Sequence, residues 1–115
     1  MVGQSAAQVT EIKTAEQCLN MTDLRAEIDR IDRALVKLLS ERQRYIERAA
    51  EIKAHRADIR DEARIADVLA KVTAAAELAG LSTTIARAVW IALMENSIAL
   101  EMDCFETIQR GAGTV

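Results

Sequence analysis

Arg42 stands between Leu38 and Tyr45 in a run whose helical period is otherwise apolar, so its guanidinium is carried to an apolar wall. An isolated charge in such a wall costs several kcal/mol unless something planar and negative completes it, and arginine suits a carboxylate better than lysine does. Alone, Arg42 could equally set the register of a coiled coil or pair with a partner's carboxylate. Lys53 follows three helical turns later and projects from nearly the same face, ~16 Å further along. Its simplest alternative role is to complement a helix C-terminus. Arg25 precedes Arg42 by ~25 Å of helical rise, too far to share a small ligand within one chain. It could approach Arg42 only across two antiparallel copies, and otherwise it is a solvated flank residue.

Further along, Asp61 and Arg64 share a face at i, i+3, which alone suggests a helix cap with a local ion pair. Ser97 and Glu101 share a face at i, i+4 and interrupt an apolar stripe of Trp90, Met94 and Phe105. A carboxylate on such a stripe is either paired or protonated. The lone His55 has no second His, Cys or carboxylate at metal spacing. A Gly-rich phosphate loop, a nucleophile elbow and a Cys/His pair are all missing from the sequence. What these residues offer is anion binding and hydrogen-bond donation, with no metal and no cofactor called for.

The elements that must position them are helices. Four glycines and no proline in 115 residues remove the usual punctuation of β-rich and disordered chains. With 3% aromatic residues, the core must come from Leu, Ile, Val, Met and Ala. Thr22 has the side chain of an N-cap and precedes Asp23 in a first turn. From there Leu24, Ile28, Ile31, Leu35, Leu38, Arg42, Tyr45, Ala49 and Ile52 alternate by four and three, predicting one helix from about Thr22 to Lys53. Such a helix is ~48 Å long, whereas a compact chain of this size has a radius of gyration of only ~13 Å. Its apolar seam therefore predicts a partner, most simply a second copy.

Residues 54 to 60 break the heptad as a loop, and Asp61 caps a second helix that buries Ile65, Val68, Leu69, Val72, Ala75, Ala76 and Ala79 and ends at Gly80. Ser82 caps a third helix, in which Ile85, Val89, Leu93, Ile98 and Met102 extend the stripe. The expected organisation is an N-terminal arm over 1–20, partly ordered, a helical domain over 21–108 and a flexible tail over 109–115. The net charge of -3 offers no general attraction for nucleic acid or anionic membrane. No run approaches the ~18 apolar residues of a membrane span, and no basic-then-apolar leader opens the chain. Cys18 and Cys104 are too isolated for a disulfide scaffold and suit a reducing compartment. The expectation is a soluble cytoplasmic protein.

Arg25, Arg42, Lys53, Arg64, Ser97 and Glu101 stand at spacings that resemble the all-helical AroQ-type chorismate mutases. The stretches Asp23 to Asp32, Leu38 to Arg42, Ile52-Lys53 and Asp61 to Arg64 carry the resemblance, which covers about residues 22 to 105. The arm from Lys13 to Cys18 also looks like the start of isochorismate pyruvate lyase, a relative on the same fold. The resemblance implies an intertwined homodimer of three-helix subunits, a dicarboxylate substrate, no cofactor and a place in the shikimate pathway. Each site would take Arg25 from one subunit and the other groups from its partner. Arg42 and Arg25 would bind the two carboxylates with Arg64 assisting, while Lys53 and the residue at 101 would address the ether oxygen.

Two positions depart from the pattern. Many mutases have glutamate directly after the arginine at 64, where it contacts the ring hydroxyl of the substrate. Here Ile65 is similar to the lyase branch and leaves the hydroxyl to Asp61 or a backbone group. Bacterial mutases commonly have glutamine where this chain has Glu101, and a carboxylate there must carry a proton to donate. Chorismate mutase is therefore the expected activity, isochorismate pyruvate lyase the alternative, and a non-catalytic helical dimerisation module the reading from a different class.

Overall fold

The computed structural model describes residues 11–113, and among them it is built from helices and short turns with no strand. The long helices are α1 (Met21–Ile52), α2 (Glu62–Ala79) and α3 (Thr83–Gly113). The chain divides into two units, up to Ser40 and from Glu41 onward, with α1 contributing to both.

In the first unit, the part of the expected arm before residue 11 lies outside the described residues. The rest contains a single turn of 3-10 helix, Ala15–Gln17, closed by a capping box. Gln17 N–H donates to Thr14 Oγ1 at 3.3 Å, and Thr14 N–H donates to Gln17 Oε1 at 2.9 Å. Lys13 Nζ donates to Asp23 Oδ2 at 3.0 Å, a pairing that raises the Lys13 ammonium above its ordinary value. The cap of α1 is one position that the sequence misplaced. Asn20 Oδ1 accepts from Asp23 N–H at 2.9 Å, so Asn20 rather than Thr22 ends the arm and α1 starts at Met21. Asparagine is at least as good an N-cap as threonine, and with Asn20 in that role Thr22 falls inside the first turn.

The second unit holds the last turns of α1, the loop and both other helices. Asp61 caps α2 as expected, accepting from Arg64 N–H at 3.0 Å. Gly80 ends it at φ 74°, a left-handed conformation that disfavours a side chain. Ser82 Oγ then accepts from Ile85 N–H at 3.2 Å and opens α3. The loop between α1 and α2 folds into a short 3-10 turn, Arg56–Asp58, and delivers Ile59 to a buried cluster with Ala50 and Phe105, flanked by Ile98, Met102 and Cys104.

The buried faces are narrower than the sequence pattern implied. On α2 only Ala76 is fully buried, while Ala75 and Ala79 are exposed; on α3 the buried line runs through Ala86, Met94, Glu101 and Phe105, leaving Ile85 and Val89 outside. Helix α3 continues to Gly113. Residues 114 and 115 lie outside the described residues. No helix among the described residues is long and apolar enough to cross a membrane.

Candidate active site

The second unit surrounds an open cavity of about 320 Å³, within the size range of small-molecule sites. The end of α1 supplies Arg42, Ile46 and Ala49, and Lys53 follows directly after it; the loop and the start of α2 supply Asp58, Ile59, Asp61, Arg64, Ile65 and Val68. Helix α3 closes it with Met94, Ser97, Ile98 and Glu101. The side chains on each helix recur at intervals of three and four, so the helical period turns them to one wall.

Arg42 is half-buried, and its Nη1 donates to Ser97 Oγ at 3.1 Å. No carboxylate pairs with it among the described residues. Burial, and after it the charge of Arg64, lowers the Arg42 guanidinium from its ordinary value. Two cations thus face the same space. Arg64 itself is exposed and donates to Asp67 at 2.6 Å on the next turn of α2.

Lys53 Nζ donates to Glu101 Oε2 at 2.6 Å. Glu101 is only 4% exposed, so the carboxylate on the apolar stripe is paired. In this arrangement Glu101 accepts a hydrogen bond rather than donating one. Asp61 gives one carboxylate oxygen to its capping bond, and Ile65 presents a half-buried apolar side chain with no acceptor for a hydroxyl.

Of the side chains singled out from the sequence, the cavity brings together Arg42, Lys53, Asp61, Arg64, Ile65, Ser97 and Glu101. Arg25 does not line it. That residue lies in the first unit, on the second turn of α1, exposed and with no side-chain hydrogen bond among the described residues. Sequence reasoning did not name Ile46, Asp58 or Ile59. Ile46 follows Arg42 at i+4 and was open to discovery by period alone, whereas nothing about Asp58 and Ile59 in a loop signalled lining positions. No group of His, Cys, Asp and Glu among the described residues could hold a metal ion.

This constellation, a half-buried arginine with no carboxylate partner among the described residues beside a lysine on a buried glutamate, lies within residues 24–102, which match the family described as chorismate mutase type II. The chain belongs to the chorismate mutase type II family. It is also similar to the isochorismate pyruvate lyase of Pseudomonas aeruginosa, 39% identical over 70 residues that cover 61% of this chain and 69% of that protein. The all-helical fold agrees with a type II chorismate mutase, and both names denote enzymes.

Proposed function

We propose that this chain is a chorismate mutase, rearranging chorismate to prephenate through a chair-like pericyclic transition state at a site completed by a second copy. The reading rests on Arg42, a guanidinium held against apolar side chains whose one partner among the described residues is the neutral Ser97. Its remaining donors suit a substrate carboxylate, and binding one would offset both the burial and the repulsion from Arg64.

The rearrangement needs no nucleophile. As the ether bond lengthens, negative charge grows on its oxygen, and the protein must hold the dianion in its reactive conformer and place donors at that charge. Arg42, assisted by Arg64, takes one carboxylate; Arg25 of the second copy takes the other. Lys53 donates to the ether oxygen, with the residue at 101 beside it. The second copy is supported by the seam of α1, where Ile28, Leu35 and Leu38 are 48%, 50% and 61% exposed, a run of apolar surface unlike that of a stable monomer.

A second reading, isochorismate pyruvate lyase, is favoured by Ile65 and by the relative of that name. There a ring hydrogen passes to the enolpyruvyl carbon as the ether bond breaks, releasing salicylate and pyruvate. Arg42 and Lys53 serve either reaction. Purified protein given chorismate and isochorismate separately, with prephenate and salicylate followed, decides between them. Turnover of neither, with no stabilisation by a dicarboxylate, would leave a helical dimerisation module.

A further inference from the structure

Arg60 belongs to neither set of groups above, yet all of its donor nitrogens are engaged. Nη1 and Nη2 donate to the two oxygens of Glu95 on α3 at 3.0 and 2.9 Å, and Nε donates to Glu62 at 2.8 Å. A two-pronged pair of this kind fixes orientation as well as distance. All three side chains are exposed, but the fork and the shared third bond set them apart from a single-contact surface pair. Glu95 holds Arg60 more firmly protonated than usual, and Arg60 in turn keeps the Glu95 carboxyl below the ordinary range.

The place of this pair in the chain gives it a consequence. Arg60 directly precedes Asp61, the cap of α2, and Arg64 and Ile65 stand one turn further on. Glu95 lies two residues before Ser97, to which Arg42 is bonded. At the other end of the loop Arg56 donates to Glu106 at 3.2 Å. Glu95 and Glu106 are eleven residues apart, ~16 Å along α3, and Ser97, Ile98 and Glu101 fall between them. The loop that contributes Asp58 and Ile59 to the cavity is therefore tied to α3 on both sides of the stretch that forms the opposite wall.

We propose that Arg60 is a positioning residue, its fork on Glu95 setting the separation between the Asp61–Arg64 wall of the cavity and the Ser97–Glu101 wall. This rests on the pericyclic reading for its link to turnover, but not for its link to the loop. Loosening the tie makes the competent arrangement one among several, which raises the apparent constant for substrate by the inverse of the fraction still competent while leaving the chemical step intact.

The test uses the full chain with Glu95→Gln and Arg60→Lys, the first removing the charge and the second keeping charge but losing the fork. Three readouts are needed: amide hydrogen exchange over residues 54–61, steady-state kinetics on chorismate and isochorismate, and the urea midpoint. Expected are faster exchange confined to the loop, KM raised on the order of fivefold with kcat nearly unchanged, and little movement of the midpoint. Raising the salt concentration should narrow the gap to the parent protein by screening its fork. Unchanged loop exchange in both variants overturns the proposal, as does a uniform rise in exchange with a lowered midpoint, which marks a merely structural pair. If the parent protein turns over neither substrate, the pericyclic reading fails, and loop exchange alone still decides whether Arg60 holds the loop.

Discussion

Replacing Lys53 with Met should strand Glu101. Glu101 is 4% exposed, shares a face of α3 with Ile98 and Phe105 at three and four residues, and accepts its 2.6 Å bond from Lys53. Removing one partner of a fully buried ion pair costs about 3–5 kcal/mol, because the other charge is left without compensation. Here the lysine side chain is 29% exposed, so water reaches one end of the pair and the cost falls to about 1–3 kcal/mol. Methionine fills much of the volume of the lysine stem, which keeps a cavity penalty out of the comparison. The double variant Lys53→Met/Glu101→Gln removes both charges together and should regain part of the loss, leaving a coupling of about 1–2 kcal/mol in the cycle. Urea denaturation at one fixed protein concentration measures all the members, since association would otherwise shift the midpoint. In the same preparations, loss of the Lys53 donor should lower kcat by about 100- to 1,000-fold. If the double variant is destabilised by the sum of the losses in Lys53→Met and Glu101→Gln, the coupling is zero and Glu101 does not depend on Lys53.

Arg42→Ala should abolish turnover while gel filtration shows an unchanged oligomer; loss of the oligomer instead would make Arg42 a register-setting residue of the seam. A dicarboxylate that occupies the cavity should stabilise the parent protein by about 2.7 kcal/mol at a hundred times its Kd, and the shift in thermal midpoint should vanish in Arg42→Ala. Leu35→Glu, placing a charge on a half-exposed seam position, should dissociate the oligomer in sedimentation velocity. Asp67 is held below the ordinary carboxylate range by Lys71 and then Arg64. Its stabilisation is present above that range and is lost as pH falls through the depressed value, so Asp67→Asn should flatten the acid limb of stability against pH.

Much of the site was legible before any fold was known, because it consists of polar side chains on apolar helical faces. Arg42 and Glu101 break a period, and a broken period is visible in one dimension. The ends of α2 were equally plain, since an aspartate cap and a terminal glycine act within one turn of their own backbone. The start of α1 was less so, because Asn20 and Thr22 both have capping side chains and only the direction of the arriving chain selects between them.

Helical content, the apolar seam and the spacing of Arg25, Arg42 and Lys53 thus follow from the order of residues alone, since 3.6 residues per turn makes a face out of an interval. What Glu101 and Ser97 do does not follow from order. The pairing of Lys53 with Glu101 spans 48 residues and that of Arg42 with Ser97 spans 55. Whether a carboxylate on an apolar stripe is paired or protonated depends on which cation the packing brings to it. The loop shows the same division, for Arg60 and Glu95 are ordinary surface residues in the sequence and become a two-pronged tie only when α3 passes the start of α2. Local period settles which face a side chain occupies, and tertiary packing alone decides which charge it meets there.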